Sequence, residues 1–177
     1  MDLLLIFPDI IIRVFYLILE YGKNTRKSYT APDILSSINF ILKGFCMKII
    51  KSGSRPTKKA TSKWFTGIVW QDSIMEAPEP ARVRILQVNF EPNARTAWHS
   101  HPLGQTLHIT SGKGLIGLRG VKPKLMNIGD TIWIPPNEEH WHGATHENGM
   151  THIAIQEALN GEVAHWLELV SDIEYQM

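Results

Sequence analysis

From Met47 onward, apolar and polar positions alternate in short runs, and no stretch sustains the 3.6-residue period of an amphipathic helix. Val83 to Phe90, Gln105 to Thr110, Leu115 to Leu118, Thr131 to Ile134 and His152 to Gln156 each read as a strand. Turns rich in Gly, Pro and Asn separate them at close spacing, which predicts an all-β sandwich or barrel. The final run, Trp166 to Asp172, reads as a last strand, with a short helix as the alternative.

The first forty-six residues follow a different pattern, dominated by Leu, Ile and scattered charges. All eight His and all six Trp lie beyond Lys63, so composition shifts sharply near Met47. The apolar run Leu3 to Leu19 is broken by Pro8, Asp9 and Arg13, which fits a membrane-spanning helix poorly. Asp2 stands where a secretory signal carries basic residues, and Tyr21-Gly22-Lys23 is no small-residue cleavage site. We therefore expect residues 1–46 to be an N-terminal extension, dispensable or translated from a misassigned start, and residues 47–177 to form the domain. An amphipathic helix that touches a membrane or partner is the competing reading.

Composition excludes several classes. The formal net charge is +1, and no basic stripe or acidic tail suggests nucleic acid as a partner. A single cysteine, Cys46, excludes an internal disulfide framework, so a reducing, cytoplasmic location is expected.

The chemistry concentrates in two turns. Residues i and i+2 of a strand share a face, so His99 and His101 project side by side. Pro102, Leu103 and Gly104 then break the strand, and Gln105 opens the next one in a position to turn back toward the same point. His140 follows the turn-strand-turn segment Gly129 to Asn137. Together His99, His101, Gln105 and His140 make a nitrogen and oxygen set suited to one divalent ion, with Mn, Fe, Ni, Co and Zn all acceptable.

Neighbouring positions suggest a pocket beside that set. His142, two residues beyond His140, shares its face, as a hydrogen-bonding neighbour of the ligands or as a swapped ligand. His152, Ala154 and Gln156 alternate with Ile153 and Ile155, giving one polar or small face and one branched apolar face. A reaction pocket with His152 as catalytic base and Gln156 in its wall is one reading, and a satisfied core histidine is the other. Leu86 and Val88 share a strand face that lines the same pocket or simply packs the core. His108, His146 and His165 read as surface residues.

These residues carry a resemblance. Asn93 to Gly112 resembles the first cupin motif and Gly129 to His140 the second, with Gln105 where glutamate is usual and Asn93 and Asn137 where glycine is usual. Phrases such as Phe90-Glu91-Pro92, His101-Pro102-Leu103-Gly104-Gln105-Thr106 and His140-Trp141-His142-Gly143-Ala144 resemble the small bacterial manganese cupins that include the hydroxynitrile lyases. The resemblance implies a jelly-roll barrel, Mn(II) as the metal, and pairing into a homodimer or homotetramer.

Gln105 changes the expected chemistry. Three neutral imidazoles and an amide leave a divalent ion with nearly its full charge, a strong Lewis acid, whereas glutamate would cancel part of it. That favours lyase-type cleavage of a cyanohydrin or a related hydroxy or carbonyl compound. A metal-dependent dioxygenase and a non-catalytic small-ligand binding module are the alternatives, since one fold and one metal site host many reactions.

Overall fold

The computed structural model describes residues 47–176 together with Ile12, Tyr16 and Thr30. The extension's apolar run and its competing readings lie outside the described residues, Ile12 and Tyr16 apart. One compact unit runs Ile50–Met177 and holds every strand described below; the other is Met1–Ile49. Among the described residues no helix is long and apolar enough to cross a membrane.

Among the described residues twelve strands form in chain order: β1 (Lys58–Lys59), β2 (Phe65–Thr66), β3 (Val69–Glu76), β4 (Val83–Phe90), β5 (Arg95–Thr96), β6 (His99–Ser100), β7 (Gln105–Leu118), β8 (Lys124–Asn127), β9 (Thr131–Ile134), β10 (His140–Ala144), β11 (Met150–Glu157) and β12 (His165–Trp166). All pairings are antiparallel, in the order β1-β3-β4-β11-β7-β10-β5-β2, with β8 and β9 on β7, and β6 between β10 and β12. This curled sheet is the jelly-roll barrel that the resemblance implied.

The two runs read separately at Gln105 to Thr110 and Leu115 to Leu118 are one fourteen-residue strand, β7. Its first half pairs with β9 and its second with β8 and β10, so the strand crosses from one sheet to the other. The crossing lies at Gly112, where φ is +73° and an added Cβ would sit 1.9 Å from the Gly149 carbonyl. Only glycine fits there, and that glycine suggested a break where the chain bends.

The C-terminal expectation also needs correction. Only His165 and Trp166 are strand, and residues 172–176 form a short helix, α1 (Asp172–Gln176). Arg95 Nη2 meets Asp172 at 2.6 Å and Val170 O at 3.0 Å, and Tyr175 donates to Ala144 O at 2.7 Å. These polar anchors, outside any periodic pattern, fasten the tail.

The core lies between the sheets: Phe65, Val69, Val88, Phe90, Ile109, Met126 and Met150 pack in one cluster, and Leu107, Ile134 and Ala154 in another. Asn93 and Asn137 take left-handed φ values of 67° and 62°, so asparagine fills the two glycine-like positions.

A buried imidazole cluster and its pocket

Strand register assembles the site. His140 opens β10 directly opposite His99 on β6, and their ring centroids lie 4.2 Å apart. Gln105 opens β7 opposite Gln156 on β11. His152 stands opposite Val88, and Ala154 opposite Leu86. His101 follows β6 with its ring 5.2 Å from that of His99. Residues far apart in sequence thus meet at one place because the register of β6 with β10, of β7 with β11 and of β11 with β4 sets them side by side.

Backbone carbonyls orient three of the rings. Nδ1–H of His99 donates to Ala97 O at 3.0 Å, that of His101 to Val163 O at 2.5 Å, and that of His140 to Glu138 O at 2.9 Å. A carbonyl can only accept, so each Nδ1 carries the proton and each Nε2 presents a lone pair. Such second contacts fix the rings of metal-ligating histidines.

Burial keeps the rings neutral. His99 is held well below the ordinary imidazole value by desolvation, then by the neighbouring His140 and His101. His101 is lowered by desolvation, partly offset by its bond to Val163. Desolvation takes His140 down to about 4 and His152 down to about 3. His142 is held well below its ordinary value by desolvation and by His152 and His99 beside it.

The donor set fits a cation. Gln105 Nε2 donates to Gln156 Oε1 at 3.3 Å, which directs Gln105 Oε1 toward His140 Nε2, also at 3.3 Å. Two lone pairs face each other there, an arrangement that a positive ion between them reconciles. Nε2 of His101 and both ring nitrogens of His142 and His152 are buried without a hydrogen-bond partner. An unmet buried polar group costs roughly 1–3 kcal/mol, so five such atoms weigh heavily in a domain stable by about 5–15 kcal/mol. A bound ion and substrate would relieve that cost.

The sequence leaves His142 two roles, a hydrogen-bonding neighbour of the ligands or a swapped ligand. Ring nitrogens of His99, His140 and His142 lie within 4.8 Å of one another, a triad that could hold a metal and that includes His142 in place of His101. His101 stays buried at the same wall, its ring 5.7 Å from that of His140. His142 also approaches His152, with centroids 4.8 Å apart, and so links the cluster to the pocket.

A cavity of about 130 Å³ opens on the cluster. Leu86, Val88, His142, His152 and Gln156 line it together with His99, His101 and Gln105. Sequence reasoning missed Trp166 and Val163, which also line it. Trp166 stacks on His99 at 4.7 Å and on Trp64 at 5.5 Å, covering the imidazole with an aromatic plate. Its place two strands beyond the recognised motifs left no periodic signal. His108, His146 and His165 lie outside: His108 is hydrogen-bonded to Thr131 and His146 to Asn93, and His165 Nδ1 lies 3.8 Å from a Glu162 carboxylate oxygen.

A cupin domain model matches residues 86–155. A relative named (R)-mandelonitrile lyase, from Granulicella tundricola, is 47% identical over 130 residues, covering 73% of this chain and 99% of its own. Among solved structures, a cupin-like protein from Thermotoga maritima superposes with a TM-score of 0.63 at 39% identity, over 73% of this chain and 95% of its own. The polyketide cyclase RemF from Streptomyces resistomycificus aligns over 73% of this chain and 91% of its own with a TM-score of 0.59, but at 16% identity that likeness concerns the fold alone.

Proposed function

Because this chain belongs to the cupin family, we propose that it is a metal-dependent carbon–carbon lyase that cleaves a cyanohydrin or a related hydroxy compound. The observation that carries this reading is the pairing of two groups on one cavity: oriented, neutral metal-type donors on one wall and the partnerless imidazole of His152 on the other. The named activity of the 47% identical relative supports the same reaction class.

His99, His101, Gln105 and His140 would hold the ion, with His142 beside them, and Mn(II) is the metal we propose. When bound, a divalent ion with only neutral ligands supplies an undiminished double charge that acidifies a hydroxyl and offsets negative charge on oxygen.

The remaining work falls to the protein. His152 is neutral, so it can accept the hydroxyl proton of the substrate. Its basicity is low in the empty, apolar cavity and rises once an anion forms beside it, because an imidazolium next to an anion is stabilised. The C–CN bond then breaks, its electron pair leaves with cyanide, and the carbon left behind becomes a carbonyl. The imidazolium of His152 returns its proton to cyanide, which departs as hydrogen cyanide. Leu86 and Val88 supply the apolar wall for the organic part, and Trp166 excludes water from His99.

Metal analysis of untagged protein, followed by mandelonitrile cleavage assays after loading with manganese and with iron, tests the reading. Stoichiometric metal with measurable release of aldehyde is expected. Absence of cleavage with both metals would sink the lyase assignment.

A further inference from the structure

The barrel contains a second and larger cavity, of about 350 Å³, which the lyase reading does not use. Its floor is apolar: Ile116 and Leu118 from β7 face Ile132 and Ile134 from β9. Its volume falls in the range of small-molecule sites, roughly 300–1,000 Å³.

Register shows where it lies. Lys124 on β8 stands opposite Ile116, and Ile116 stands opposite His142 on β10; Leu118 likewise stands opposite His140. Directly opposed residues of antiparallel strands share a face. Ile116 therefore shares a face with both neighbours and stands between His142 on β10 and Lys124 on β8, while Leu118 stands beside His140.

The mouth is charged with an excess of cation. Lys122 and Lys124 line it and form no ion pair among the described residues, while one carboxylate, that of Glu138, lies at the same rim. An apolar groove edged by two ammonium groups that form no ion pair among the described residues complements a molecule with a hydrocarbon body and one anionic end. We infer that this cavity is a second binding site, distinct from the imidazole pocket, for an amphipathic monocarboxylate whose chain lies among Ile116, Leu118, Ile132 and Ile134 and whose carboxylate meets Lys122 and Lys124. The inference does not depend on the lyase reading.

Octanoate is a suitable probe, with 1-octanol as its uncharged counterpart, both titrated into the full chain. Methyl NMR locates the ligand: saturable shifts at Ile116, Ile132 and Ile134 are expected, with Leu86 and Val88 unmoved. The double variant Lys122→Gln/Lys124→Gln, altered only at exposed side chains, should weaken octanoate by roughly tenfold and leave 1-octanol unchanged. Val121→Trp, a change at a 47% exposed residue of the mouth, should block both ligands. Shifts confined to Leu86 and Val88 would show a carboxylate drawn to the imidazole cluster and would overturn the assignment. Failure to saturate, equal affinity for octanoate and 1-octanol, or wild-type octanoate binding by the lysine variant would overturn it as well.

Discussion

Gln105 donates its amide hydrogen to Gln156 Oε1, directly opposite it across β7 and β11, and thereby holds its own Oε1 toward His140. The orientation of a neutral ligand is thus set by a second neutral side chain. Gln105→Glu keeps the size and an oxygen donor but places a negative charge on the ion. Metal content should be preserved or increased, while mandelonitrile cleavage per bound metal should fall by about tenfold or more, as expected when Lewis acidity drops by over ~1.4 kcal/mol of transition-state stabilisation. Equal activity per metal would remove the charge argument.

His101 and His142 compete for one place in the donor set. Spacing selects His101, whereas the triad whose nitrogens lie within 4.8 Å of one another includes His142. The backbone bond from His101 Nδ1 to Val163 O is the kind of contact that orients a ligand, and His142 has none. His101→Ala should therefore lose most of its metal, and His142→Ala should retain it. Plasma emission analysis of dialysed protein measures both, and the opposite result would move the ligand role to His142.

His152 should matter for turnover and little for metal. His152→Ala removes the proton acceptor and is expected to lower kcat by about 10²–10⁴-fold, the usual contribution of a general base. Metal content should stay at the wild-type level. A variant with full metal and full kcat would leave His152 as a core residue.

Much of this site was legible because its ligands follow strand periodicity. His99 and His101 share a face by the i, i+2 rule, and His152, Ala154 and Gln156 line one wall by the same rule. What stayed hidden depends on register between distant strands. The i, i+2 rule puts His142 on the face of His140, but how near its nitrogens come to those of His99 follows from the pairing of His140 with His99. Trp166 and Val163 reach the pocket through a tail fixed by Arg95 and Tyr175, polar contacts with no sequence period. The glycines of β7 were misleading for a related reason: a residue that marks a turn in isolation marks a bend when both flanking segments find partners.

Residues 47–177 should fold and load metal without the extension, since every strand among the described residues lies in the unit Ile50–Met177. A protein beginning at Met47 is expected to match the full chain in metal content and in thermal midpoint. Aggregation or metal loss in the shorter protein alone would make the extension part of the fold.

Acid should destabilise the metal-free protein before it touches most carboxylates. His140 and His152 have folded values of about 4 and about 3, below the ordinary value of 6.5. Between those limits the unfolded chain binds protons that the folded chain refuses, so the unfolded state gains as pH falls. Stability is therefore greatest above pH 6.5 and declines below it, by up to about 1.4 kcal/mol per pH unit for each ring while the ring stays neutral in the fold. The decline from His140 ends near pH 4 and that from His152 near pH 3. Urea unfolding of chelator-treated protein, followed from pH 7.5 to 4.5, should show a falling midpoint at constant slope. Metal-loaded protein should start more stable and fall more steeply, since protons then compete with the ion for the same nitrogens. A midpoint independent of pH in the metal-free protein would mean that the imidazoles take up protons without leaving the fold, and the cluster would not be the dry, neutral site on which the proposed chemistry depends.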